Sequence, residues 1–138
     1  MVWEKPECIV ESRRRTTGMA SNVLGTALQS CCAEDPVTGF YRTGKCDTGI
    51  EDKGMHVVCV QMTDAFLEFA RDCGNDLISP APQYGFPGLK EGNRWCVCLG
   101  TVVDAIKAGI APQIVLEATH ISMLEFLDLE VLQEYAVA

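Results

Sequence analysis

The sequence predicts an α+β fold, a compact two-layer α/β sandwich in which a small sheet carries helices mainly on one face. The chain has 138 residues and is 48% hydrophobic, which suits one domain with a proper core. Short β-branched runs alternate with stretches of helical period, and packing helices on one sheet face buries both kinds of apolar surface. Two long Gly/Pro-rich loops, Glu34–Gly54 and Gly74–Arg94, interrupt these elements.

Three short apolar runs, rich in β-branched residues and cysteine, predict buried strands. They are Val57–Met62, Trp95–Leu99 and Ile114–Ala118. The last two flank a helical stretch and are expected to form a right-handed β-α-β crossover. Ordered structure is expected to begin near Asn22, with a short strand or an extended lead-in.

The first helix is expected to follow the first strand directly. Thr63 is a good N-cap, and Gly74 is the residue at which the helix is expected to stop. The apolar residues between them recur with the period of one helix face. This face comprises Phe66, Phe69, Ala70 and Cys73.

Two further helical stretches carry their own start signals. The second helix is expected to open with a capping box at Thr101–Asp104 and to stop at Gly109. A third stretch is expected to be capped by Thr119 or Ser122. A last amphipathic piece is expected to start at Asp128.

The charge balance excludes two classes of partner. The formal net charge is −8 and the pI about 4.6. Nucleic acids and anionic lipids are bound by basic faces, so neither nucleic acid nor a membrane is an expected partner. No apolar run approaches the ~18 residues of a membrane span.

Residues 1–21 are predicted to be a disordered extension, and residues 22–138 a single α/β domain. The extension lacks the apolar segment of a secretory signal, so a cytoplasmic location is expected. Its Arg13–Arg15 triplet leaves organelle targeting as the alternative.

Eight cysteines are spread along the chain. Most lie inside or beside the apolar runs, and the chain is long enough to fold without covalent staples. Buried reduced thiols are therefore predicted rather than a disulfide framework. The cysteines are Cys8, Cys31, Cys32, Cys46, Cys59, Cys73, Cys96 and Cys98.

Seven ordered motifs between about Asn22 and Ala136 together resemble one family, the uncharacterised "domain of unknown function 2237". The resemblance implies a compact, soluble two-layer α/β domain. It implies no activity and assigns no catalytic residue. The motifs are Asp35-Pro36-x-Thr38-Gly39-Phe40, Cys46-x-Thr48-Gly49, Asp52-x-Gly54-x-His56-x-Val58-Cys59, Gly74-Asn75-Asp76-Leu77, Gly85-Phe86-Pro87-Gly88-Leu89, Trp95-Cys96-x-Cys98 and Ala118-Thr119-His120.

Cys46 is the sequence's best candidate for a reactive thiol. It lies in a polar, turn-rich loop next to Lys45, and adjacent cations favour the thiolate, which is the reactive form. A thiol-dependent enzyme or redox protein would use Cys46 with Cys59 or Cys96 as its resolving partner. The alternative is a loop thiol packed beneath its own turns.

A metal site is a further hypothesis. Cys96 and Cys98 would share one face of a strand, where Cys46, Cys59 or His56 would complete a zinc-type ligand set. The sequence contains no Cys-x-x-Cys pair, and small buried thiols are the favoured interpretation. No metal ligand and no cofactor are assigned.

The leading hypothesis is a soluble small-molecule-binding or accessory domain. Its polar pocket would form where the two long loops meet at one end of the sheet. Local backbone hydrogen bonds are the alternative for the loop residues, and capping of a helix start is the favoured alternative for His120. The predicted ligand-binding residues are Asp47, His56, Asn75, Asp76, Arg94 and His120.

Overall fold

The computed structural model describes residues 20–32, 38–84 and 86–137, and this part of the chain confirms the α+β class. It contains a three-stranded antiparallel sheet and three α-helices. None of these helices has the length and apolar character needed to cross a membrane. The strands are β1 (Val58–Gln61), β2 (Arg94–Val97) and β3 (Gln113–Ile114), and the helices are α1 (Asp64–Asp72), α2 (Leu99–Lys107) and α3 (Leu129–Glu134).

Strand β1 is the central strand, in the order β2-β1-β3. It pairs antiparallel with β2, placing Val58 opposite Val97 and Val60 opposite Trp95. It also pairs antiparallel with β3, placing Val60 opposite Ile114. Strands β2 and β3 therefore run parallel with β1 between them, and the predicted β-α-β unit is a split one.

Helix α1 begins and ends as predicted. The Thr63 hydroxyl accepts a hydrogen bond from the amide of Phe66 at 3.1 Å, and Gly74 has a φ of +94° just beyond the helix. Phe66 and Ala70 are buried in the core. Cys73 is exposed, contrary to the predicted face, because the helix has ended at Asp72 and Cys73 is its C-cap.

Helix α2 starts earlier than predicted, and this correction places a cysteine at its N-cap. Cys98 rather than Thr101 is the N-cap, and Leu99 is the first helical residue. The amide of Leu99 donates to the carbonyl of Met55 at 2.9 Å, so a long-range hydrogen bond sets the start. At the other end Gly109 has a φ of +80°, in agreement with the predicted stop.

The third predicted strand is shorter than expected. Of Ile114–Ala118, only Ile114 belongs to β3, and Leu116–Ala118 forms a 3-10 turn. Leu116 and Ala118 remain buried within this turn, so it satisfies the apolar pattern that predicted a strand. Asp128 is the N-cap of α3, as predicted.

The predicted cap between these elements moves by one residue. His120 is the N-cap of a short 3-10 helix, Ile121–Glu125, and its Nδ1 accepts from the amide of Ser122 at 3.0 Å. Thr119 is not the cap because its hydroxyl is engaged with the sheet, where it accepts from the amide of Cys59 at 3.2 Å.

The two faces of the sheet pack against different partners. Val58 and Val60 face a large aliphatic and aromatic core that includes buried residues of all three helices described above. Cys59 and Cys96 lie on the other face, in a small cluster with Cys31, Cys46, Val115 and Ala118.

Two disulfides tie this second face together, so the prediction of reduced thiols is wrong for four cysteines. Cys31 is bonded to Cys59, and Cys46 to Cys96. The register of β1 and β2 places Cys59 directly opposite Cys96. Two other segments of the chain cross this face, and each supplies the disulfide partner of one of these cysteines. Among the other cysteines that the structure describes, Cys32, Cys73 and Cys98 are not disulfide-bonded.

Residues 20–32, which precede the first long loop, form the extended lead-in and not a strand. Isolated bridges join Ser21 to Ala27 and Asn22 to His120. The side-chain amide of Asn22 donates to the carbonyl of Glu117 at 3.0 Å, which fastens the lead-in to the turn after β3. Positions 1–19 of the predicted disordered extension lie outside the residues that the structure describes.

Gly88 and Gly92 offer a matched test of the second long loop. Both have positive φ, +87° and +92°. A Cβ on Gly88 would lie 2.2 Å from the carbonyl oxygen of Ile78, whereas nothing lies within 4 Å of a Cβ on Gly92. Either alanine carries a left-handed backbone cost of about 1–2 kcal/mol. We expect Gly88→Ala to lower the free energy of unfolding by roughly 2 kcal/mol more than Gly92→Ala, and equal losses in urea unfolding would contradict the packing.

Candidate functional site

The first long loop ends in a tight turn that sets Asp52 against His56. The amide of Met55 donates to the carbonyl of Asp52 at 3.1 Å, and Met55 has a φ of +50°, so the chain reverses here. Nδ1 of His56 then lies 2.6 Å from Oδ1 of Asp52. A carboxylate in this position fixes the orientation of the imidazole and the location of its protons.

The Asp52 carboxylate is held from both sides. Its Oδ2 accepts from the amide of His56 at 2.9 Å and from the hydroxyl of Thr48 at 3.0 Å. Asp52 is only 3% exposed. A buried charge with this many hydrogen bonds is fixed in place, so the histidine ring has a rigid support.

Cys98 approaches the opposite edge of the same ring. A Cβ built on Gly54 would lie 2.9 Å from Cε1 and 3.4 Å from Nε2 of His56, and 3.5 Å from Sγ of Cys98. The imidazole edge and the sulfur therefore surround one point beside Gly54. Gly54 itself is exposed, whereas Nε2 of His56 is buried beneath it.

The histidine carries a proton at neutral pH. Burial on its own lowers the pKa of His56, but the hydrogen bonds to Asp52 and Cys98 and the charges of these two residues outweigh it and raise the pKa from 6.5 to about 9. With Nδ1 directed at Asp52, the second proton is on Nε2, the edge next to Cys98.

Aromatic residues of the first loop form the wall of this site. The ring of Phe40 stacks on the imidazole of His56 with centroids 6.1 Å apart, and Tyr41 contacts Phe40 edge-on at 5.0 Å. The Tyr41 hydroxyl donates to Oε1 of Glu51 at 2.7 Å, which links the two ends of the loop. The loop thus packs around the ring instead of leaving it in solvent.

The first turn of α2 presents backbone donors next to Cys98. The first N–H groups of a helix have no intrahelical acceptor, and those of Gly100 and Thr101 belong to this turn. Gly100 is exposed, with nothing within 4 Å of its Cβ position. Asn75 donates from Nδ2 to the hydroxyl of Thr101 at 3.1 Å, and its buried Oδ1 has no partner among the described residues. A helix N-terminus of this kind favours an oxyanion.

Comparison with known proteins adds one finding. Residues 21–136 match the profile of a family described as an uncharacterized protein conserved in bacteria, DUF2237. The chain belongs to the DUF2237 family. The resemblance found in its motifs is thereby confirmed. A search of curated proteins finds no match to the chain.

Two predicted ligand residues of this DUF2237 domain lie together. Nε2 of His120 is 3.6 Å from Oδ1 of Asp47. Burial is the largest influence and lowers the pKa of His120, although the charges of Asp47 and Glu125 oppose it. Nδ1 of His120 accepts from the amide of Ser122 at the start of the 3-10 helix, so the capping role that was the favoured alternative for His120 is confirmed.

Other predicted ligand residues make local or cross-strand bonds. Asp76 accepts from the amides of Ile78 and Ser79 at 2.9 and 3.0 Å, and the bonds from Ser79, with that from Ile78, lower the pKa of Asp76. Nε of Arg94 donates to Oε1 of its cross-strand partner Gln61 at 3.1 Å. His56 lies next to Cys98, the N-cap of α2, and Asn75 is bonded to Thr101 in the first turn of that helix. A joint ligand site for all six residues stays a prediction.

Cys46 has no thiol in this structure. It is fully buried and bonded to Cys96, one of the two partners named for it from the sequence. The neighbouring Lys45 therefore has no thiolate to stabilise while the disulfide is intact. The use of Cys46 in redox chemistry stays a prediction.

Asp52 and Cys98 were not among the candidate catalytic or ligand-binding residues. The four-residue separation of Asp52 and His56 across a glycine was a usable signal, because a tight turn brings such a pair together. The role of Cys98 was hidden because the strand was expected to continue through Leu99, which made Cys98 a core residue.

Proposed function

We propose that this DUF2237 domain is a thiol-dependent enzyme in which Cys98 is the nucleophile, His56 transfers protons and Asp52 orients His56. The observation that supports it is the contiguous Asp52, His56 and Cys98 arrangement at the N-terminus of α2. A nucleophile next to a base, with the base oriented by a third group, is the general arrangement of nucleophilic catalysis. This hypothesis replaces Cys46 with Cys98 as the reactive thiol.

The reaction class that fits these groups is acyl transfer from an ester or thioester. The Cys98 sulfur attacks the carbonyl carbon and forms a C–S bond, while the carbonyl electrons move to oxygen. The bond to the leaving group then breaks, and Nε2 of His56 supplies the proton that the leaving group takes. Water next attacks the acyl-enzyme and gives a proton to the neutral His56. The C–S bond then breaks, which releases the carboxylic acid and restores the Cys98 thiolate beside a protonated His56.

The surroundings fit a small acyl group. The amides of the first turn of α2 follow Cys98 directly and are the donors proposed for the developing oxyanion. Cys98 is only 9% exposed, and access to it is next to Gly54, so a bulky acyl chain has little room. The small-molecule partner expected from the sequence is compatible with such a substrate.

Cys73 provides an internal reference for testing Cys98. Both are free of disulfides, but Cys73 is exposed and Cys98 is buried. Accessibility alone makes Cys73 react faster, whereas a His-activated nucleophile reverses that order. We expect iodoacetamide at neutral pH, with the disulfides intact, to alkylate Cys98 at least about tenfold faster than Cys73. Peptide mapping by mass spectrometry measures both rates in one sample.

Variants separate activation from exposure. In His56→Gln, alkylation of Cys98 should become slower than that of Cys73. p-Nitrophenyl acetate should acetylate Cys98 in the wild type and in Cys32→Ser. In Cys98→Ser it should leave no acetyl group at this position. Gly54→Ala should slow this acetylation, since its Cβ would lie 2.9 Å from the ring of His56. Slower alkylation of Cys98 than of Cys73 in the wild type would rule out the proposed enzyme.

A further inference from the structure

Four cysteines belong to one buried cluster on the second face of the sheet, and the sulfur atoms of three of them lie close together. The Sγ atoms of Cys31, Cys46 and Cys96 all lie within 4.8 Å of one another. The fourth, from Cys59, is bonded to that of Cys31. Sulfur atoms from two different disulfides are thus nearly in contact. Two disulfides that only stabilised the fold would not need to lie this close to each other.

The backbone around these sulfurs is held by bonds that do not involve sulfur. The amide of Cys59 donates to the hydroxyl of Thr119, and the amide of Cys96 donates to the hydroxyl of Thr38 at 2.9 Å. The amide of Cys31 donates to the carbonyl of Gly44 at 2.6 Å. These bonds do not depend on the disulfides, so they still restrain the backbones of Cys31, Cys59 and Cys96 after reduction.

The donor set around the cluster is all sulfur. Its other buried members are Val115 and Ala118, which offer no side-chain ligand. Four thiols enclosed in such a dry site make poor hydrogen bonds with one another. Thiolate ligands without oxygen select zinc or another thiophilic ion over magnesium or calcium.

We propose that Cys31, Cys46, Cys59 and Cys96 form a tetrathiolate Zn²⁺ site when their two disulfides are reduced. Tetrahedral zinc with Zn–S bonds of about 2.3 Å holds its sulfurs roughly 3.8 Å apart. The separations of up to 4.8 Å among three of the sulfurs are close to this value. Rotation about the Cα–Cβ bonds is enough to part the bonded pairs and to bring the others closer.

A dithiol is one class of reductant that opens these disulfides, and Cys31 is the most exposed point of entry for it. Cys31 is 5% exposed and the other three cysteines at most 1%. A reductant thiolate attacks Sγ of Cys31, Cys59 leaves as a thiolate, and the second reductant thiol releases Cys31. The Cys31 thiolate then attacks the second disulfide of the cluster. The new disulfide that Cys31 forms in this way is reduced in turn by another equivalent of the dithiol. In total, two disulfides take up four electrons and four protons, and Zn²⁺ binding releases the four protons.

This site uses none of the three residues assigned to the proposed enzyme. Cys98 belongs to neither disulfide and interacts with His56. Loss of Cys98 reactivity and loss of zinc binding are therefore separate outcomes.

The experiment compares oxidised and reduced full-length protein. After reduction with a phosphine, removal of the reductant without air and incubation with Zn²⁺, elemental analysis should give about one zinc per chain. The oxidised protein should hold at least about tenfold less. Co²⁺ added to the reduced protein should show the strong thiolate-to-cobalt absorption and the d–d bands of a tetrahedral centre.

Single substitutions identify the ligands. Cys46→Ser should lower zinc occupancy at least about tenfold, whereas Cys73→Ser and Cys98→Ser should retain it. A reduced wild type that binds less than about a tenth of a zinc per chain, or that unfolds with zinc present, overturns the site. Full occupancy in Cys46→Ser overturns it as well. Where Cys46→Ser does not fold, the Co²⁺ spectrum of the reduced wild type decides, and absence of thiolate absorption overturns the proposal.

Discussion

Removing the crosslink between Cys46 and Cys96 is expected to lower the free energy of unfolding by about 4 kcal/mol. The two residues are 50 positions apart, and a crosslink that closes a loop of this length restricts the unfolded chain by about that amount. The separation of 28 between Cys31 and Cys59 predicts a loss of about 3.5 kcal/mol. Cys→Ala double variants are preferred to Ser, because a hydroxyl in this apolar cluster would lose its hydrogen bonds to water.

Urea unfolding without reductant measures these losses. Cys73→Ala is the matched control, because it removes an exposed cysteine that is in no disulfide, and it should change stability by less than about 0.5 kcal/mol. Non-reducing peptide maps should link Cys31 to Cys59 and Cys46 to Cys96. If each double variant loses less than about 1 kcal/mol, the crosslinks do not stabilise this fold.

The parts of the fold that are set by neighbouring residues could be predicted from the sequence. Thr63 caps α1 through the amide three residues later, and Gly74 follows the helix in a left-handed conformation. Both ends of the helix are therefore determined by residues that are close in sequence. The start of α2 could not be predicted in this way. It depends on the hydrogen bond from Leu99 to Met55, two residues that are distant in sequence, and the local Thr101 signal gave way to it.

The disulfides show the same limit. Their pairing depends on the register that places Cys59 opposite Cys96 and on the crossing of that face by two other segments. The prediction of reduced thiols came from the position of the cysteines in apolar runs and from the length of the chain, and neither reports on the geometry of a pair. The candidate site divides similarly. His56 is among the site residues predicted from the sequence, but its proximity to Asp52 and Cys98 arises only in the fold.

The crosslinks and the proposed enzyme share one loop. The segment that runs from Thr38 to His56 is fastened to β2 twice, through the Thr38 hydroxyl and through the disulfide of Cys46. The same loop carries Phe40, which packs on the imidazole, and Asp52, which orients it. A covalent link on one face of the sheet therefore restrains the loop that presents the carboxylate at the site.

Replacing His56 by Gln is expected to remove a pH-dependent part of the stability. Burial alone lowers the pKa of His56, but its bonds to Asp52 and Cys98 raise it from 6.5 to about 9 in the folded state. The folded state therefore binds this proton more tightly than the unfolded state. The resulting stabilisation is fully present below pH 6.5 and is lost as the pH rises through about 9. Its size is on the order of 3 kcal/mol.

Urea unfolding at several pH values between about 6 and 10 tests this, with the difference between wild type and His56→Gln as the readout. The wild type should lose its advantage towards the alkaline end. His120→Gln is the matched control, because burial lowers the pKa of His120 and reverses the sign. Its contribution is present above pH 6.5 and is lost as the pH falls, so this variant should differ in pH dependence mainly on the acid side. Parallel stability curves for wild type and His56→Gln would show that the proton on His56 is not held by Asp52 and Cys98.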